Sequence, residues 1–194
     1  MLFEQSKIFF TEFNKVFADG SPRRSEAVEK YINNSAFTTF IIDEINSIID
    51  TMNYQPQNEY YRIDASGYAP RWNELEKVNG FKAHLWDLKI AVEHENDPKD
   101  WLDEVIKLAH IYCPLRVVIG YVPMKIRETE DVKRLKYASK ALQMLECKDN
   151  LANGEFMVIL GNSNTYRKEK NYFNYKAYVL NTESLTFEEL EKHM

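Results

Sequence analysis

The chain has 194 residues, 44% hydrophobic and 28% charged, which fits one soluble domain with a sizeable core. Its formal net charge of -5 excludes nucleic-acid binding driven by bulk charge, so any such site needs a local basic patch or metal ions. Cys113 and Cys147 are the only cysteines and read as buried thiols of a reducing compartment, with no zinc-ligand spacing.

The opening "MLFEQSKIFF" carries Glu4 and no basic lead-in, so it does not read as a signal peptide. No apolar run approaches the ~20 residues that span a bilayer. A cytoplasmic protein with no membrane contact is expected. In chain order, "LFEQSKIFFTEFNKVF" places Phe3, Ile8, Phe9, Phe13, Val16 and Phe17 at helical steps, and Gly20 stops it. Ser21-Pro22 opens a second helix, with Ser21 as N-cap. "SAFTTFIIDEINSIIDTM" makes a third, with an apolar stripe from Phe37 to Ile49 and with Asp43 and Glu44 near its edge.

After Pro56 the texture changes. "NEYYRIDAS" reads as a strand ending at Asp64. A short strand near Phe81 and a clear one at "HLWDLKIAVEHE" follow. Alternation puts Trp86, Leu88, Ile90 and Val92 on one face and Asp87, Lys89, Ala91, Glu93 and Glu95 on the other. Asp97-Pro98 starts a helix, with Asp97 as N-cap, that runs through "KDWLDEVIKLAHIY". "LRVVIGYVP" is an apolar strand of the kind covered on both faces. "DVKRLKYASKALQMLE" is helical, "GEFMVILGNS" and "NYFNYKAYVLN" are strands, and "TFEELEKH" closes the chain as a short helix. The strand–helix–strand run from 85 to 122 has the length of a parallel crossover. The pattern predicts a single α/β domain over 1–194: a mixed central sheet flanked by helices, with an N-terminal helical segment.

The acidic residues sort by position. Asp64 lies at a strand end, and Glu93 and Glu95 end a strand that neighbours it in this reading. Three carboxylates converging at one sheet end raise each other's pKa unless a cation offsets them. Hard oxygen ligands suit Mg²⁺ or Mn²⁺, and Mg²⁺ takes one or two carboxylates plus waters and phosphate oxygens. Such a metal can activate water for phosphodiester cleavage.

Asp64, a gap of about thirty residues and then Glu93-His94-Glu95 on an apolar strand resemble the PD-(D/E)XK nuclease superfamily. The order helix, three strands, helix, strand over residues 26–122 resembles its restriction-endonuclease-like core. The resemblance implies an endonuclease, a hydrolase cutting DNA with Mg²⁺ (or Mn²⁺). Its restriction-type members often work as dimers, so a homodimer is a further expectation. Residue by residue, Asp64 matches the metal-binding Asp, with Ile63 where the family often has Pro. Glu93 matches the metal-binding (D/E) position, and His94 is the intervening residue. Glu95 stands where the family usually has Lys, so it would position or deprotonate the water. Lys89, on the same face, would assist catalysis. Glu44 is similar to an additional acidic metal ligand carried on the preceding helix. An inactive nuclease-like fold, serving as a protein- or nucleic-acid-binding module, is the alternative that the Lys-to-Glu departure leaves open.

Within the same strand, Asp87-Leu88-Lys89 also spells D-x-K, but the apolar "IAV" would then run past the site. Trp101 falls on its helix's apolar face and reads as core. His94 faces away from Glu93 and Glu95 and reads as solvated or capping. His84, His110 and His193 show no partner spacing. The basic residues Lys125, Arg127, Lys133, Arg134, Lys136 and Lys140 read as a solvated helix face, with phosphate contact as the sharper alternative. "LGNSNTYRKEK" reads as a polar loop with Asn162, Ser163 and Asn164 as donors. No nucleophile elbow, phosphate-binding glycine loop or dinucleotide fingerprint is present.

Overall fold

The apolar steps of the first fifty residues produce three helices: α1 (Glu4–Phe17), α2 (Pro22–Lys30) and α3 (Asn34–Thr51). The computed structural model describes residues 3–31, 33–69, 87–123, 127–163 and 173–190. Asn33 caps α3 by accepting the Ala36 amide at 3.1 Å. Ser21 occupies the cap position before Pro22, but its side chain makes no capping bond. The cap of α1 comes from far along the chain. Phe3 stands at its N-cap with no side-chain acceptor, and the amides of Gln5 and Ser6 donate to the Glu155 carboxylate at 3.2 and 2.7 Å.

Among the described residues, seven strands form one sheet in which spatial order equals chain order. They are β1 (Gln55–Tyr60), β2 (Ile63–Tyr68), β3 (Leu88–His94), β4 (Leu115–Val122), β5 (Glu155–Asn162), β6 (Lys176–Asn181) and β7 (Thr186–Glu189). The first three form an antiparallel meander. β3, β4 and β5 are parallel, and β6 and β7 return antiparallel. Parallel neighbours need crossovers, supplied by α4 (Trp101–Ala109) between β3 and β4 and by α5 (Arg127–Met144) between β4 and β5. A 3₁₀ helix (Glu146–Ala152) precedes β5. The fold is mixed α/β, a central sheet flanked by helices, and no helix among the described residues is long and apolar enough to cross a membrane.

The period-two rule separates two hydrophobic clusters. Ile90 and Val92 of β3 pack with α1 and α3, through Phe13, Phe37, Ile41, Ile45 and Ile49. Ala91 packs on the other face with Trp101, Val105 and Leu108 of α4 and with Leu135, Ala138 and Leu142 of α5. β4 lies between the two layers and is buried along its whole length, as its apolar run predicts. Trp101 is core. It presses so closely on β4 that a methyl group at Gly120 would sit 2.6 Å from its Cγ.

Several local expectations are corrected. "NEYYRIDAS" is a hairpin and not one strand. Tyr60 pairs with Ile63 across a two-residue turn, with Tyr61 at φ 49° and Arg62 at φ 63°. This is the type I′ pattern that matches strand twist and ordinarily uses Asn-Gly. Each left-handed L-residue costs roughly 1–2 kcal/mol, so composition gives no hint of the turn. Asp64 therefore stands near the start of β2. The strand near Phe81 and residue Trp86 lie outside the described residues. α4 begins at Trp101, after a turn in which Asp97 accepts the Lys99 amide at 2.8 Å, so Asp97 caps that turn and Asp100 takes the N-cap position. "TFEE" is strand β7, because Thr186 and Phe187 find ladder partners in Asn181 and Leu180 that outweigh the helical preference of the glutamates.

Candidate active site

Ala65 opposes Val92 across β2 and β3, and the same register continued by one residue sets Asp64 opposite Glu93. The two carboxylates are close enough to interact directly. Asp64 is anchored by the His94 amide, which donates to its Oδ2 at 2.8 Å. Glu93 is 1% exposed. By alternation it faces the α4 layer, and there Lys107 meets it: Nζ lies 2.8 Å from Glu93 Oε2 and 2.9 Å from Glu104 Oε2. Glu93 Oε1 is buried and has no hydrogen-bond partner among the described residues.

The electrostatics follow from this packing. Burial pushes the Glu93 carboxyl up to about 8; the bond from Lys107 opposes the rise and the nearby Asp64 charge adds to it. Burial also raises Asp64, with the His94 amide and the Lys107 charge pulling the other way. Burial works against the Lys107 ammonium, but its bonds to Glu104 and Glu93 outweigh that, and its pKa is raised.

The other expected site residues are placed elsewhere. Glu95 lies past the end of β3, and its Oε1 accepts the Asp97 amide at 2.7 Å, so its carboxylate closes a turn. Lys89 pairs with Asp87, which also ties up the rival D-x-K stretch within itself. Glu44 belongs to α3, in the layer across the sheet from Glu93, and accepts from Arg23 Nε at 2.6 Å. The structure thus joins Asp64 with Glu93 and separates Glu95, Lys89 and Glu44 from them. The residue missed was Lys107. Its sequence signal was weak: a Glu104-Lys107 step on a helix whose apolar face is marked by Val105 and Leu108.

His94 is a further correction. It is 7% exposed and lies in the α3 layer, with Nε2 and the Tyr121 hydroxyl sharing a hydrogen bond at 2.8 Å. The Tyr121 hydroxyl in turn lies 3.4 Å from that of Tyr175. The Phe37 ring stands edge-on to His94 at 6.2 Å. Burial lowers the imidazole to about 3, so it is neutral at physiological pH. Asn162 and Ser163 are likewise buried, Asn162 at the end of β5, with the Ser163 amide donating to Val122 at 2.8 Å. Lys133 and Arg134 pair with Glu130 at 3.6 and 3.3 Å, Lys133 exposed and Arg134 largely covered. Lys125, Asn164, His84 and His193 lie outside the described residues.

Two facing carboxylates and an ammonium can hold a cation, share a proton or orient a polar ligand. As a donor set, Asp64 and Glu93 are hard oxygens, and two carboxylates suffice for Mg²⁺ when waters and phosphate oxygens complete its shell. No group of three or more metal-ligating side chains occurs among the described residues. Comparison with family models, curated proteins and solved structures gives no match.

Proposed function

We propose that the chain is a divalent-metal-dependent nuclease-like hydrolase of DNA phosphodiester bonds, with Asp64 and Glu93 as metal ligands and Lys107 in the role the motif gives to lysine. The observation that carries the reading is the register that sets Asp64 opposite Glu93 at the end of a helix–β-meander–helix–strand unit. That order, α3-β1-β2-β3-α4-β4, resembles the PD-(D/E)XK core. The buried, unpartnered Oε1 of Glu93 and the raised pKa of both carboxyls fit a pair that gains from a bound cation. Mg²⁺ or Mn²⁺ there would supply an activated water and a charge against the leaving oxygen. Lys107, delivered from α4, supplies the positive group that Glu95 cannot. The test is plasmid nicking with Mg²⁺ or Mn²⁺. Wild-type protein nicks and Glu93→Ala does not; equal residual cleavage by the variant overturns the assignment.

One observation favours the inactive reading. Lys107 already sits on Glu93, and a built-in ammonium can take the place of a cation. Under that reading calorimetry shows no Mn²⁺ uptake by the folded wild-type chain, and the fold serves as a binding module.

A further inference from the structure

The turn between β1 and β2 is built from residues that fit it poorly. Glu59, Tyr61 and Arg62 all take positive φ, at 49°, 49° and 63°. A two-residue turn of this kind is served best by Asn-Gly, which adopts the left-handed region with little strain. Tyr61 and Arg62 instead present an aromatic ring and a guanidinium to solvent. Tyr61 is 75% exposed, and the Tyr60 ring stands edge-on to it at 4.6 Å, fixing a two-ring ledge. Backbone strain held at an exposed aromatic tip is a feature that a ligand contact would explain.

The position of the tip sets the ligand. β2 begins at Ile63, so Arg62 precedes Asp64 by two residues, about 7 Å of strand. At the duplex rise of about 3.4 Å per nucleotide that is a step of about two nucleotides, and in a more extended unpaired strand a step of about one. By the register, the tip extends beyond the end of β3, where Glu93 lies. A strand with one phosphate at Asp64 and Glu93 would bring its next bases to the tip that carries Tyr61. Every base has a face that can stack on an aromatic ring, but only an unpaired base exposes it. The exposed Arg62 offers a guanidinium for phosphate contact, and the exposed Glu59 near the same tip offsets its charge.

We infer that the β1–β2 hairpin tip, Tyr60-Tyr61-Arg62, is a stacking platform that grips an unpaired nucleic-acid strand at the Asp64/Glu93 centre. This deepens the proposed function and rests on it only for the strand's path past the carboxylates.

The turn itself supplies the test. Tyr61→Asn combined with Arg62→Gly installs the residues the turn prefers, so the double variant folds and melts above wild type. Anisotropy of a short fluorescein-labelled oligothymidylate in EDTA reads binding without cleavage. Wild type is expected to bind the single strand more tightly than its duplex with oligoadenylate. The double variant is expected to lose about tenfold or more, and Tyr61→Phe, which keeps the ring, to stay within about twofold. Equal affinity of double variant and wild type, or equal binding of duplex and single strand by wild type, overturns the inference. A Mn²⁺ titration of wild type against Glu93→Ala separates the two readings. Loss of oligonucleotide binding in the double variant without Mn²⁺ uptake by wild type leaves the platform standing and removes the nuclease. Mn²⁺ uptake with unchanged oligonucleotide binding does the reverse.

Discussion

Glu93 and His94 are chain neighbours and both are buried, but one residue of strand puts them in opposite worlds. Glu93 enters the α4 layer, where it meets an acid, an ammonium and a second acid. His94 enters the α3 layer, where it meets Tyr121 and Phe37, with Tyr175 one hydrogen bond further on from Tyr121. Burial suppresses charge on both, so Glu93 is pushed up and His94 down. The difference teaches which face is available for chemistry. On the α3 side the suppression is complete and the imidazole serves as a neutral bonding partner. On the α4 side a partner cation keeps ionisation within reach of neutral pH.

Removing the ammonium should break this contrast most severely. Lys107→Met leaves Glu93 buried beside Asp64 with no cation, and a broken buried pair costs about 3–5 kcal/mol. Because the Lys107 side chain is 33% exposed, the loss should fall below that range and grow with pH as Glu93 is forced to ionise; urea denaturation at several pH values reads it. On the other face, Tyr121→Phe takes away the His94 partner at a cost of about 1–3 kcal/mol. That cost should stay level from neutral pH upward, where His94 is neutral both folded and unfolded; a loss that grew there would contradict the neutral imidazole.

The two residues also pull stability in opposite directions with pH. The folded chain keeps a proton on Glu93 that the unfolded chain has released, so this contribution is full below about pH 4.5 and is lost as pH rises through about 8. His94 has a lowered folded value, so its contribution is full above about 6.5 and is lost as pH falls toward 3. Melting temperature should decline from pH 5 to 9, and Glu93→Gln should remove most of that decline. The smallest effect sharpens the comparison by its absence. Glu95→Gln keeps an acceptor for the Asp97 amide and should change stability by no more than about 0.5 kcal/mol and leave Mn²⁺ uptake intact.

Much of this architecture is legible in the sequence because burial writes a period. The alternation from Leu88 to Val92, the unbroken apolar run of β4 and the stripe on α3 each name their element and their face. Glu93 sits at the polar end of such a run, whereas Asp64 stands near the start of β2 and meets Glu93 through the hairpin register. What escaped reading lacks a period of its own. The Tyr61-Arg62 turn uses neither glycine nor asparagine, and β7 exists only because β6 offers it a ladder. Lys107 joins the site by helix placement, across a distance no motif spacing records. His94 reads as a solvated side chain in the sequence because a polar residue between two acids looks exposed, whereas its surroundings come from α3 and β4.

The Glu155 cap on α1 has a consequence for how the chain assembles. The bonds to the amides of Gln5 and Ser6 span sequence separations of 150 and 149 residues. Bringing such distant groups together is entropically slow, and it comes after local structure has formed. The opening turn of α1 is thus completed only once β5 is in place. Until β5 arrives, the phenylalanines of α1 lack their final seat, and this helix is among the last elements to reach its native state.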